Sequence, residues 1–457
     1  MVRLLCADRN PARDSPWPIA DPFLQPPIFY EHKNSGFEIL LACVNNAGDK
    51  KKKGIHVSNN EFINQRSTAI FLLFTALFTL AGCGGGGGGS TPTPPPVVVD
   101  PPTPAPTGPD FSEVDASFQA FIDERSDFDG ISYVLVDAEG IMHQATFGDH
   151  TDDTVVLLAS TSKVPAVMTL MALQEDANID FSISEPVSTY LPYDGPYADR
   201  TVEQMVSNTS GIPGLRLLGG YGSPTGPTIE DFNHLCQYSA QPFFTFEACG
   251  QTLVQNELPT SQPAGSVYDY GGSQWQIAGV TASTVANATW NQLVDQYLGT
   301  PCGLEVFTFG NPWESPTSFT GSVDSLAGTA NPNIEGGAIT NMADYAKLLQ
   351  VHLNGGFCGD TQVLSGDSIA SMQVDRGGVV ANNATPYGMG WWIQTELPGV
   401  LTDPGAFGAV SFIDVNRGIG GYMAIDEYGD EADSGAPPGF FIGQAIPAIQ
   451  AAWDAAQ

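Results

Sequence analysis

Two groups of strand-forming runs, standing on either side of a long helical and loop-rich middle, constrain the fold of this chain more than any other feature. At the near end, Ile131-Ser132-Tyr133-Val134-Leu135-Val136 and Ile141-Met142-His143-Gln144-Ala145-Thr146-Phe147 flank the turn-forming Asp137-Ala138-Glu139-Gly140, the pattern of a hairpin. At the far end, Met389 to Thr395, Ala406 to Asp414 and Gly421 to Asp426 read as strands, with Val415-Asn416-Arg417-Gly418 as the last turn. Helical spacing dominates between them: Ser160 to Leu173 or Gln174, a short run from Thr201 stopped by Gly211-Ile212-Pro213-Gly214, then Gln274 to Ala286, Trp290 to Leu298 and Met342 to Leu353. Leu217 to about Ser261 reads as loops, Phe111 to Ser126 as an amphipathic opening helix, and Ile446 to Ala455 as a closing one. The simplest assembly is an α/β fold in the α+β sense. One antiparallel sheet is built from both chain ends and flanked by helices, and a mainly helical lobe is inserted in it. A cleft between such lobes is where a site is expected.

Within that frame the stretch richest in chemistry is Ala159-Ser160-Thr161-Ser162-Lys163-Val164-Pro165-Ala166. Residues three apart on a helix share a face, so Ser160 and Lys163 can share a proton. A serine needs a neighbouring base, and a lysine serves as one only where its charge is disfavoured, as by burial beside a helix N-terminus. That positive helix end also steadies an oxyanion. Ser-x-x-Lys is common on exposed helices, where it means nothing. Here, however, only Lys163 and Lys347 follow Cys83, and Lys163 is enclosed by apolar residues.

The start of the chain reads differently. Residues 1–65 hold prolines and the basic Lys50-Lys51-Lys52-Lys53 cluster without sustained periodicity, as expected of a mis-called translation start or a disordered leader. Residues 66–83, from Arg66 through an apolar run to Leu80-Ala81-Gly82-Cys83, resemble a bacterial lipoprotein signal with its lipobox, which makes Cys83 the expected lipidation site. The run is short for a bilayer span, and Gly84 to Gly89 would continue a core helix poorly. Val57 would be the initiator if its codon is GTG. Residues 84–109 form a Gly/Pro/Thr-rich spacer, and 110–457 the folded domain. The expected location is therefore the bacterial cell envelope, exported and lipid-anchored. Gly84, where some inner-membrane lipoproteins carry aspartate, leans towards the outer membrane or periplasmic face.

Residues 84–457 hold 7 basic and 43 acidic residues, a net charge of −36. Such a surface repels nucleic acid and anionic membranes, so contact with the membrane is expected through the lipid alone. Cys236, Cys249, Cys302 and Cys358 form an even set in an exported domain, which suggests disulfides. Of the three possible pairings, Cys236 with Cys249 and Cys302 with Cys358 is preferred, with buried free thiols as the alternative. No Cys-x-x-Cys or His-x-x-x-His occurs, so neither a metal nor another cofactor is expected.

Further segments carry a family resemblance. Asn208-Thr209-Ser210-Gly211-Ile212-Pro213-Gly214, Pro263-Ala264-Gly265-Ser266-Val267-Tyr268-Asp269-Tyr270-Gly271-Gly272, and Gly336-Gly337-Ala338-Ile339-Thr340 before Asp344-Tyr345-Ala346-Lys347 follow Ser160/Lys163 in order. Together they resemble the serine β-lactamase and penicillin-binding-protein superfamily, most of all class C β-lactamases and family VIII carboxylesterases, over roughly Ser112 to Gln457. The resemblance implies that Tyr270, with Tyr268 as rival, faces the Ser160/Lys163 pair and passes protons to the leaving group.

Two positions depart from the pattern. The family places asparagine two residues after the tyrosine, and here that substrate-binding position is Gly272. The Lys-Thr-Gly or His-x-Gly of the strand lining the site aligns with Asp403-Pro404-Gly405. A charged Asp403 would repel the carboxylate that penicillins, cephalosporins and D-Ala-D-Ala ends carry, whereas neutral acyl esters would be unaffected. Gly405 is expected to leave room for the acyl group, and the Ala406 N–H to complete an oxyanion hole with that of Ser160. Pro404 suits an edge strand.

The expected function is thus a serine hydrolase working through an acyl-enzyme on Ser160, foremost a carboxylesterase for short or medium acyl esters. A β-lactamase, D-amino-acid peptidase or amidase is the alternative, and a non-catalytic envelope binding protein of the same fold is the alternative from another class. An α/β-hydrolase is poorly supported, since no Gly-x-Ser-x-Gly occurs and no histidine follows His352 to complete its usual order. Oligomeric state is left open.

Overall fold

The computed structural model describes residues 108–125, 128–214, 229–426 and 436–457, and the backbone of two strands nearer the start. Those strands, Ile28–Lys33 and Gly36–Leu41, pair antiparallel from Ile28 opposite Leu41 to Lys33 opposite Gly36, in a stretch where sequence periodicity predicts no element. The signal-like run, Cys83 and nearly all of the spacer lie outside the described residues. No described helix is long and apolar enough to cross a membrane.

The main sheet has six antiparallel strands, in the order Trp392–Ile393, Val400–Pro404, Val410–Asp414, Ile419–Ala424, Gly130–Asp137 and Ile141–Gly148. The two chain ends meet at its centre, where Ile419 lies opposite Asp137 and Ala424 opposite Ser132. Side chains of a strand alternate between faces, and Gly130–Asp137 uses both. Ile131, Tyr133 and Leu135 enter one core with Phe118 of the opening helix Ser112–Asp123 and Ile449 of the closing helix Ile446–Ala455. Val134 and Val136 enter the other, with Val167 and Leu170 of helix Lys163–Glu175 and Leu348 of helix Met342–Leu353. A strand buried on both faces requires such a continuous apolar run.

The helical lobe centres on Gly272–Ala286, buried along most of its length. The disulfides Cys236–Cys249 and Cys302–Cys358 form as preferred from the sequence.

Differences from expectation lie where glycine turns a strand-like run, where a helix changes pitch, and in Leu217 to Ser261, read as loops. The described part of that stretch holds helix Phe246–Gln255, capped by the Thr245 side chain, and the short helix Ile229–His234. The predicted strand Met389 to Thr395 is reduced to Trp392–Ile393, because Gly390 takes a φ of +85° against Val164. The predicted strand from Ala406 starts only at Val410: the Gly405 N–H donates to the Ala409 carbonyl in a tight turn, with Gly408 at φ +95°. Val400–Pro404 is a full strand. Helix Trp290–Val294 passes into a π-helical turn over Asp295–Gly299 rather than continuing regularly to Leu298.

Candidate active site

Ser160 lies in a 3-10 turn, Ala159–Ser162, that leads directly into helix Lys163–Glu175. The turn is clamped from two strands. The Leu158 N–H donates to the Ala338 carbonyl, and the Ala338 N–H donates to Ser162 Oγ at 3.0 Å. Thr161 Oγ1 lies 2.8 Å from the Asp403 carbonyl and 3.0 Å from that of Ala409, and the Thr161 carbonyl accepts from the buried Tyr345 hydroxyl. Over-determination of this kind sustains the left-handed φ of +45° at Ala159, immediately before Ser160.

Lys163 is fully buried. Its Nζ donates to Ser160 Oγ at 3.0 Å and to the Glu335 carbonyl at 2.9 Å. It also lies 4.6 Å from the centre of the Tyr270 ring and 5.5 Å from that of Trp275. Ser160, Lys163 and Tyr270 are therefore brought together, and Ser160 stays half-buried at the edge of the enclosed amine. The rival Tyr268 is 4% exposed and packs on Tyr387 and Trp392.

The Tyr270 loop is held by the Asn208 turn. The Asn208 carbonyl accepts from the Asp269 N–H, and the Thr209 carbonyl from that of Gly265. Asn208 Oδ1 accepts from Gln274 Nε2 and Trp275 Nε1, both at 3.0 Å. Gly211 has no alternative here: at φ +77°, a Cβ would lie 2.1 Å from the Gln262 carbonyl oxygen. The Asn-Thr-Ser-Gly segment thus works by positioning the tyrosine loop.

Gly405 differs from expectation. A Cβ there would point at the Leu158 carbonyl oxygen, 2.1 Å away, and not into open space for an acyl group. What the missing side chain permits is close approach of the strand end to the Ser160 turn, with the exposed Ala406 following at once. Pro404 is accommodated as expected of an edge, since Trp392–Ile393 covers only Thr402 and Leu401.

Asp403 also needs correction as a charge facing substrate. Its side chain is fully buried, with Oδ2 accepting from the Val164 N–H at 3.3 Å in the first turn of the nucleophile helix. Burial pushes its pKa well above the usual carboxylate range, against the pull of Lys163 and of the Val164 N–H. Enclosed in this way, the carboxyl does not stand on the surface that meets substrate.

Sequence reasoning missed Glu335 and the aromatic wall. Glu335 is 7% exposed, its Oε2 lies 3.5 Å from Lys163 Nζ, and its Oε1 accepts from the Tyr238 hydroxyl at 2.8 Å. The available signal was an acid before Gly336-Gly337 in an apolar stretch, where Gly337 packs its Cα against the Gly310 carbonyl. Beside Tyr270 stand the half-buried Trp392 at 5.5 Å and the fully buried Tyr387 at 6.3 Å between ring centres.

The Beta-lactamase family model matches residues 118–437. No curated protein matches the sequence. Among solved structures, a family VIII carboxylesterase is 20% identical at a TM-score of 0.56, covering 76% of this chain and 98% of its own. EstCE1, a hydrolase with promiscuous acyltransferase activity, is 17% identical at 0.58, covering 74% and 97%. A penicillin-binding-protein homologue from Caulobacter crescentus is 15% identical at 0.56, covering 76% and 99%. At these identities the structures speak for the fold, and the family match extends over the nucleophile, the tyrosine loop and the Asp403 strand: the chain belongs to the β-lactamase family of serine hydrolases.

Proposed function

We propose that the protein is a carboxylesterase acting on short or medium acyl esters through an acyl-enzyme on Ser160. The observation that carries this reading is the fully buried Lys163 amine, 3.0 Å from a half-buried serine hydroxyl and beneath the Tyr270 ring. In the proposed reaction Lys163 takes the Ser160 proton as Oγ bonds to the acyl carbon. The Ser160 and Ala406 N–H groups hold the oxyanion, and Tyr270 returns a proton to the departing alcohol. Water then releases the acid by the reverse transfer.

The preference for esters with neutral acyl groups rests on what surrounds the pair. Among the described residues the other cations are engaged elsewhere: Arg200 with Asp199, Arg376 with Glu203, Arg417 with Asp414 and Asp454, Lys347 with the Gly303 carbonyl, and Arg125 over Phe128. Gly272 offers no amide to an acylamino group, while the half-buried Trp392 beside Tyr270 offers apolar surface. Export and lipidation at Cys83 belong to the same proposal, with a small-molecule ester as the partner and no nucleic acid. Replacing Cys83 by serine should abolish incorporation of labelled fatty acid. Turnover of p-nitrophenyl butyrate should exceed that of nitrocefin, and a fluorophosphonate probe should label wild type but not Ser160→Ala. Preferred hydrolysis of nitrocefin would make the protein an amide-directed hydrolase, and absence of labelling would make it a binding protein.

A further inference from the structure

Residue 272 stands one helical step from the Tyr270 loop and has no side chain. A Cβ built there would lie 2.0 Å from Glu335 Oε1 and 2.3 Å from Gln237 Oε1. The volume that a side chain at this position would take is therefore filled from other parts of the chain, by the Glu335 carboxylate first and by the Gln237 amide beside it. That carboxylate is itself held: Tyr238 donates to Oε1, and the tight packing of Gly336 on Trp313 and of Gly337 on Gly310 leaves the backbone before them little freedom. Glu335 engages Lys163 twice, by its carbonyl at 2.9 Å and by Oε2 at 3.5 Å.

We propose that Glu335 is a positioning residue for Lys163, filling the space left open at Gly272 and governing the charge of the amine that receives the Ser160 proton. This rests on the proposed serine chemistry. The backbone carbonyl fixes where Nζ sits. The carboxylate stabilises the ammonium formed when the Ser160 O–H bond breaks and the new N–H bond forms, and that proton leaves again by Tyr270 when the alcohol departs. The other titratable groups around the amine are Tyr270, over which Nζ lies, Tyr238 on the far carboxylate oxygen, and Asp403, whose pKa burial raises well above the usual carboxylate range. Glu335 is the carboxyl within ion-pair reach of the amine. An opposite charge at this range moves a titration by about one to three pH units, and removing it lowers the pH at which the amine becomes free to act as a base.

The experiment is the rate of fluorophosphonate labelling of Ser160 as a function of pH, in the full chain. Wild-type labelling by itself tests the serine chemistry: if wild type does not label, that reading fails before this one is reached. Given labelling, Glu335→Gln, which keeps size and one of the two acceptor oxygens, should shift the acidic limb of the profile down by about one unit or more. Glu335→Ala should shift it likewise and lower the plateau by roughly tenfold. Gly272→Asn alone should also lower the plateau, because its side chain must displace Glu335 and Gln237. The double variant Gly272→Asn/Glu335→Ala, which removes the nearer of the two obstacles, should lose less than the two single losses multiplied together. An acidic limb in Glu335→Gln that coincides with wild type would overturn the charge role, and additive losses in the double variant would overturn the shared volume.

Discussion

Lys163 sits between two buried carboxyl groups that the fold treats differently. On the strand side, Asp403 is fully enclosed, has one long hydrogen bond from the Val164 N–H, and keeps an Oδ1 with no hydrogen-bond partner among the described residues. On the helical-lobe side, Glu335 has the Tyr238 hydroxyl on one oxygen and the amine within ion-pair reach of the other. A carboxylate stays charged in a low dielectric only where donors replace lost water, and a carboxyl short of donors takes a proton instead. The contrast teaches that the acid aligned with a family motif need not be the one within reach of the amine: Glu335 Oε2 lies 3.5 Å from Lys163 Nζ, while Asp403 turns to the Val164 N–H.

Lys163→Met, which removes the group between the two acids, should have the largest effect. Ester turnover and probe labelling should fall by more than about a thousandfold while the protein remains folded by circular dichroism. Retained labelling would mean that Tyr270 or Glu335 alone can activate Ser160. Next comes Gly405→Ala, which pushes on the Leu158 carbonyl from the Asp403 strand. It should cost about 1–3 kcal/mol in urea unfolding and lower kcat more than KM, since the Ser160 turn and the Ala406 N–H move apart. An unaltered kcat would place the oxyanion site elsewhere.

Asp403→Asn should have the smallest effect on catalysis, within about threefold of wild type at neutral pH, in contrast to the Glu335 variants. Its signature is in stability. Because the folded-state pKa of Asp403 is raised, the folded protein holds a proton that the unfolded chain releases above about pH 4. Wild type therefore loses stability as pH rises above that value towards the folded pKa, and the asparagine variant lacks this loss. Its advantage over wild type should grow as pH rises above about 4 towards the raised folded-state pKa, by at most about 1.4 kcal/mol per unit. An advantage independent of pH would mean that Asp403 is charged when folded, and the difference between the two acids would vanish.

The legible features were those set by local spacing. Ser160 and Lys163 meet because three residues make about one helical turn. The hairpin Gly130–Asp137 with Ile141–Gly148, the helix Met342–Leu353 and the closing helix Ile446–Ala455 follow their apolar periods. The union of the two chain ends in one sheet was legible because neither set of strands could bury both faces alone. What spacing does not carry is direction. Whether Asp403 points at solvent or at the Val164 N–H depends on which neighbour covers it, and Glu335 reaches Lys163 from a segment far along the chain. The short strand Trp392–Ile393 was overextended because Gly390 turns the backbone against Val164, a tertiary contact invisible to any window of sequence.

The sheet's central pairing has a temporal consequence. Ile419–Ala424 is made long after Gly130–Asp137, beside which it docks, and the strand that brings Gly405 to the Ser160 turn follows the whole helical lobe in the sequence. Closing so long a loop is slow. The hydroxyl proposed to react would thus be present in a growing chain before Gly405 and Ala406 exist to stand beside it.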